Sequence, residues 1–201
     1  MANVNKPSGL TPKNMISGAD WDERGNLYYI DQTDTNAYYT GDPVALTGSG
    51  SADGIPAVTL GTAGNTLVGV IVGLGGVNTK GGPYVDPANL NGSLAIPATK
   101  TKGYTVLVVD DPNVIFEIQE SNGPLAVTDI GLNANILYAA PANPVNVYSG
   151  VTLNATGKNT TATLNLKILG LVQRVDNALG AFAKWRVLIN NHAYRAGITG
   201  V

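Results

Sequence analysis

The 201-residue sequence predicts an all-β protein, an antiparallel sandwich, jelly roll or barrel with long loops and an extended N-terminal arm. Three observations carry that reading. Short runs rich in Val, Ile, Leu, Thr and Tyr recur about every ten residues, the spacing at which strands alternate with turns. Gly (25) and Pro (11) punctuate the gaps between them, where the chain needs positive or fixed φ to reverse direction. Little apolar periodicity of 3.6 accompanies the runs, so helices are not expected to contribute much.

Residues 1–20 are polar and broken by Pro7, Gly9, Pro12 and Gly18. They read as an extended arm that needs a partner surface to become ordered, with Val4, Pro7, Leu10 and Pro12 as its interface candidates. Residues 21–201 read as one β-rich domain. Runs at 27–30 and 37–40, separated by the polar cluster at 31–36, suggest a hairpin. Gly41, Asp42 and Pro43 open a strand, 47–56 is a Gly/Ser/Asp-rich loop, and 57–60 is a strand. Residues 66–74 hold a run of Leu, Val and Ile without polar alternation, which predicts a strand buried on both faces. A long loop with strong breakers follows at 75–91.

The clearest strands are 104–109 and 114–120, joined by a turn at 110–113 in which Pro112 sets a backbone angle and Asp and Asn side chains satisfy local amides. In the second of these, Val114, Phe116 and Ile118 should face inward, with Ile115, Glu117 and Gln119 on the other face. A short helix or helical turn is expected around 125–133, with Thr128 and Asp129 as caps. Residues 161–170 should place Leu164, Leu166 and Ile168 on one face, and 184–190 should bury Trp185, Val187 and Ile189. No repeat of fixed period is visible. The Pro and Gly cluster at 121–150 fits either a subdomain boundary or a long surface loop within one domain.

Composition excludes several functions. Charged residues are 13% of the chain and formal net charge is -2, with the 12 Lys and Arg scattered, so neutralising a nucleic-acid backbone is a poor expectation. The absence of cysteine removes disulfides and thiolate metal sites. No apolar stretch reaches a membrane-spanning length and no signal peptide opens the chain, which implies synthesis in the cytoplasm and no membrane association.

The chemistry-bearing residues point away from catalysis, and neither a cofactor nor a resident metal is expected. His192 is the single histidine, so a Ser-His-Asp triad would have to be built on it without a nucleophile motif elsewhere; a surface or interface histidine is the simpler reading. Carboxylates at Asp20, Asp22 and Glu23, at Asp110 and Asp111, and at Glu117 and Glu120 could act as an acid and base only if the fold brought two across a cleft. The glycines around 69–76 lack the following helix of a phosphate cradle and are better explained by close strand approach. Asp31, Asp34 and Asn36 are an oxygen-rich set able to hold calcium, though without the Gly and terminal Glu of an EF-hand loop. The doublets Tyr28, Tyr29 and Tyr38, Tyr39 are further interface candidates, with cross-strand packing as the structural reading.

Four segments carry a resemblance: Met1-Ala-Asn-Val-Asn-Lys-Pro-Ser-Gly-Leu-Thr-Pro12, Ala57-Val-Thr-Leu-Gly-Thr-Ala-Gly64, Val108-Val-Asp-Asp-Pro-Asn-Val-Ile-Phe-Glu-Ile-Gln-Glu120 and Leu166-Lys-Ile-Leu-Gly-Leu-Val-Gln-Arg174. Together they look similar to structural proteins of tailed bacteriophages, of the capsid decoration or cement type. That resemblance implies a non-enzymatic virion protein on the outer capsid surface, bridging major capsid protein subunits and pairing with itself as a homodimer or homotrimer. A tail or head-tail component, and a carbohydrate- or receptor-binding β module, are the alternatives.

Overall fold

The computed structural model describes residues 3–75, 95–139, 141 and 148–195. Apart from Gly75, the loop expected at 75–91 lies outside the described residues. The rest is all β: β1 (Thr11–Met15), β2 (Asn26–Ile30), β3 (Pro43–Gly50), β4 (Pro56–Leu60), β5 (Gly69–Leu74), β6 (Tyr104–Val109), β7 (Val114–Ser121), β8 (Asn133–Ala134), β9 (Ile136–Leu137), β10 (Thr152–Asn154), β11 (Leu166–Leu171) and β12 (Lys184–Ile189), with one 3-10 turn at Val127–Asp129.

The strands form two barrels. The first is closed in the order β2-β4-β3-β5-β6. The second runs β8-β11-β12-β7-β10-β9, and because only Asn135 separates β8 from β9, that segment closes the ring. The chain passes from one barrel to the other at the 110–113 turn, where Asn113 N–H donates to Asp111 Oδ1 at 2.8 Å. Residues 121–139 and 148–150 therefore lie on the C-terminal side of this crossing, with the second barrel's strands.

The two barrels share one circuit of pairings, a repeat hidden from the sequence. In each, the first strand pairs parallel with the third (β2 with β4, β7 with β10) and antiparallel with the last (β6, β12). The second (β3; β8 and β9) pairs with the third and fourth, and the fourth with the last. The irregularity between the fourth and last strands matches as well. The fourth strand slips between Ile71 and Gly73 opposite Val108 and Leu107, and its counterpart between Ile168 and Gly170 opposite Val187 and Arg186. Superposing these bulges and following the ladders round both circuits returns to the start without a slip, the condition for equal stagger in barrels of equal strand number. Tyr28 then corresponds to Ile118, Val44 to Ala134, Val58 to Leu153, Ile71 to Ile168, Val106 to Trp185 and Val108 to Val187, and every one of these is buried in its barrel's core.

β5 forms the wall between the barrels. Its run sends Val68 and Ile71 into the first core and Leu67 and Val70 into the second, which is the two-sided burial expected of an unbroken apolar strand. Gly69 fits here because a Cβ would lie 2.2 Å from Val109 O. Inward faces in β7 and β12 are as predicted: Val114, Phe116, Ile118, Trp185, Val187 and Ile189 all join the second core.

Several expectations are corrected. The segment at 37–40 forms no hairpin with β2, whose neighbours are β4 and β6; Tyr38 and Thr40 make only isolated bridges to Ile96 and Tyr148. β3 continues to Gly50, into the stretch expected to be loop. Leu164 precedes β11, which begins at Leu166. The 3-10 turn is tied by Asp129, whose Oδ2 accepts from Ala126 N at 2.8 Å, and Thr128 does not cap it.

The N-terminal segment is not a free arm. β1 pairs with the first half of β7, Lys6 N donates to Gln119 Oε1 at 2.8 Å, and Gln119 Nε2 donates to Asn5 Oδ1 at 2.8 Å. Leu10 is buried in the second core. The surface that orders this segment is the chain's own sheet edge, which an unpaired strand would otherwise leave open.

Candidate interaction surfaces

Carboxylates that are scattered in sequence converge in one cleft. After β1 the chain reverses through Ile16, Ser17 and Gly18, and Met15 N and Trp21 N donate to Ala19 O and Lys13 O. The returning stretch faces the 110–113 crossing across a cleft of about 680 Å³. Its rim carries Asp20, Asp22, Glu23, Asp110 and Asp111 against Arg24, and its apolar lining includes Met15, Trp21, Leu107, Val109 and Val114. Trp21 is fixed by donating Nε1–H to Arg24 O at 3.1 Å. Asp110 accepts from Tyr28 Oη at 2.7 Å and from Asn26 Nδ2 at 2.9 Å, while Asp22 pairs with Arg24 at 3.2 Å. Glu23 sits at φ 62, a left-handed conformation uncommon for a residue with a Cβ.

A second surface lies at the connection between β11 and β12. Val175, Leu179 and Phe182 are exposed there, Val175 almost completely at 98%. Asn3 ties the N-terminal segment to this connection by hydrogen bonds to Ala178 and Ala181, and exposed Val4 lines a groove of about 220 Å³ with Phe182, Lys6, Arg174 and Lys184. Phe182 has φ 64, which for an aromatic residue is strained backbone. Beneath the tip, the nearly buried Glu117 is surrounded by Arg174, Lys184 and Lys13 at 3.0, 3.7 and 4.0 Å.

The predicted interface residues separate sharply. Leu10, Tyr28 and Tyr38 are buried, so none offers an open contact surface. Pro7, Pro12, Tyr29 and Tyr39 are half-buried, and Val4 alone of the eight is exposed. The tyrosine doublets thus fail as a continuous aromatic face because each turns one ring into the first core.

His192 is likewise not a surface histidine. It is fully buried, its Nδ1 accepts from Tyr194 N at 3.1 Å, and Nε2 has no hydrogen-bond partner among the described residues. Burial, reinforced by Arg195, pushes its pKa down to about 4, so the ring is neutral at pH 7. Backbone bonds between Leu67 and its neighbours Asn191 and Ala193 give it a place in packing.

The oxygen-rich loop at Asp31, Asp34 and Asn36 has an internal cation. Lys100 Nζ, whose side chain is fully buried, donates to Asp34 O and Asn36 O at 2.6 Å each and lies 3.4 Å from Asp34 Oδ1. It also stands 5.2 Å from the Tyr38 ring centroid, within cation–π range. Burial opposes the charge on Asp34, yet hydrogen bonds from Tyr38, Asn36 and Thr59, with the Lys100 charge, hold its pKa below the ordinary value. The ammonium is held by oxygens of Asp34 and Asn36, two of the three residues considered above as able to hold calcium. Lys100 is 64 residues from Asn36, so no local motif announces it.

Two further carboxyls are buried. Glu120 Oε2 accepts from Trp185 Nε1 and Leu125 N at 2.8 Å each, and burial raises its pKa. Asp42 accepts from Tyr39 N at 2.8 Å, while no hydrogen bond of acceptable geometry reaches Oδ1. Burial pushes its pKa up to about 6, against the lowering effect of Ser149 and Tyr39 N–H. Comparison with protein-family models, curated proteins and solved structures finds no match.

Proposed function

We propose that this chain is a non-enzymatic structural protein of a tailed-phage virion that decorates the outer capsid surface and stabilises it by bridging major capsid protein subunits. The observation that carries the reading is the apolar tip of Val175, Leu179 and Phe182 beside Val4. Exposed apolar side chains gathered on one connection mark a surface meant to be covered by protein. The resemblance of the four segments to decoration proteins supplies the setting, an array of copies on the shell in which that tip is covered. Low charge density and two closed barrels, whose edges are used up internally, suit a unit that is stacked in many copies without strand-to-strand aggregation. Several contacts of modest strength on a repeating lattice add through effective concentration.

The test is to mix the purified protein with expanded, undecorated capsids and image them by cryo-electron microscopy. Density recurring at symmetry-related positions on the shell supports decoration; bare shells reject it. A glycan-binding module is the second reading, favoured by Trp21 in the wall of the acidic cleft. Binding on a glycan array that is lost in Trp21→Ala, together with bare shells, would replace the first reading by this one.

A further inference from the structure

We infer that the chain associates with itself head to tail, the apolar, cationic tip of one copy seating in the acidic cleft of the next. The two surfaces are complementary in three independent respects. In shape, the tip presents Val175 at 98% exposure while the opposing surface is concave, with about 680 Å³ to fill. In polarity, the tip's Val175, Leu179 and Phe182 meet a lining that includes Met15, Trp21 and Leu107. In charge, the tip side carries Lys6, Lys13, Arg174 and Lys184 against Glu117 and Asp176, whereas the cleft carries five carboxylates against Arg24. The tip thus carries an excess of cations and the cleft an excess of carboxylates.

Backbone strain marks the same two places. Among the described residues, the non-glycine positions with positive φ are Glu23, Asn122 and Phe182. Asn adopts that conformation readily; Glu and Phe do so at a cost. One stands on the cleft rim and the other on the tip, and such strain persists where function holds it. Because the two surfaces differ, the contact is heterologous, and it closes into a ring or runs on as a filament according to the rotation between copies. This inference does not rest on the capsid reading.

The test is sedimentation of the full chain over a range of protein and salt concentrations. Wild type is expected to associate as its concentration rises and to dissociate as salt screens the charges. Phe182→Gly removes the ring and relieves the positive φ, so thermal stability should hold or rise while association weakens by about tenfold or more. Asp20→Lys with Asp22→Lys should weaken self-association, as should Lys6→Glu with Val175→Glu, and an equimolar mixture of the two variants should recover it as a mixed complex. A wild type that stays monomeric at its highest soluble concentration, or an association that these variants leave unchanged, overturns the inference. So does a mixture that fails to recover.

Discussion

The two barrels build one circuit of strand pairs from different interiors. At equivalent positions the first barrel places Val106, Val44, Leu60 and Ile30, and the second places Trp185, Ala134, Ala155 and Glu120. An indole where a valine stands is offset by two alanines where larger aliphatic residues stand, so the interior is refilled at similar volume, as close packing requires. The indole N–H also needs an acceptor. It finds one in Glu120, at the site equivalent to Ile30, 2.8 Å away. What the barrels have in common is therefore the pattern of inward positions and the stagger, and each position's chemistry is settled locally.

The barrels differ most in what covers them. β7 extends beyond the length of β2, and β1 fills the additional edge. Deleting residues 1–15 should therefore destabilise the chain through its second barrel, by roughly 5 kcal/mol, with the loss of buried Leu10 and of the β1 ladder. Urea unfolding followed by Trp185 fluorescence in a Trp21→Phe background measures this. An unshifted midpoint would return the segment to the status of a detachable arm.

Next in size is Trp185→Ala, expected to cost about 3–5 kcal/mol by leaving a cavity and stripping the donor from buried Glu120. The equivalent Val106→Ala should cost clearly less. Transplanting the first barrel's solution, Trp185→Val with Glu120→Ile, Ala134→Val and Ala155→Leu, should recover most of the loss. A transplant no more stable than Trp185→Ala would show that the equivalence of positions is only topological.

Asp42 belongs to the first barrel at its contact with the second: Ser149 N donates to Thr40 O and Leu10 N to Gly41 O. Its pKa rises on folding from 3.8 to about 6, so between those values the folded chain holds more protons than the unfolded one. Stability from this group is present in acid, declines as pH rises from about 4 to about 6, and is then flat. Asp42→Asn should flatten that profile and raise stability at pH 7 by up to about 3 kcal/mol. Thermal unfolding as a function of pH is the measurement, and an unchanged slope between pH 4 and 6 would assign the acid dependence elsewhere.

Local patterns made much of the fold legible. Alternation identified the faces of β7 and β12, and the lack of alternation at 66–74 identified a strand buried on both faces, which the fold uses as a wall between two cores. The repeat was not legible because a barrel constrains alternation and stagger more than identity; its clearest trace is Ile71-Val-Gly-Leu74 against Ile168-Leu-Gly-Leu171, too short to stand out in a chain rich in these residues. Surface sites were the least readable. Asp20 and Asp110 reach one cleft only because β1 and the barrel crossing meet there, and Lys100 enters the Asp34 loop from a distant segment. The first tyrosine doublet divides because adjacent strand residues point to opposite faces, so Tyr28 is buried and Tyr29 is not; in the second, Tyr38 is buried outside any strand, at its bridge to Ile96.

The tetrapeptides at the two bulges give the finest comparison. Ile71 and Ile168 are both fully buried, each opposite a valine of the last strand, Val108 and Val187. Ile71→Val and Ile168→Val each remove one methylene and should cost about 1 kcal/mol. With no shared partner, the double mutant should show their sum. Calorimetry then distinguishes two kinds of molecule. If β5 couples the barrels through its two-sided burial, each substitution lowers the same single transition by a similar amount. If each barrel melts alone, Ile71→Val moves one transition and Ile168→Val the other. A single transition is the expected result, because Leu67 and Val70 cannot leave the second core while the first barrel stays folded around Val68 and Ile71.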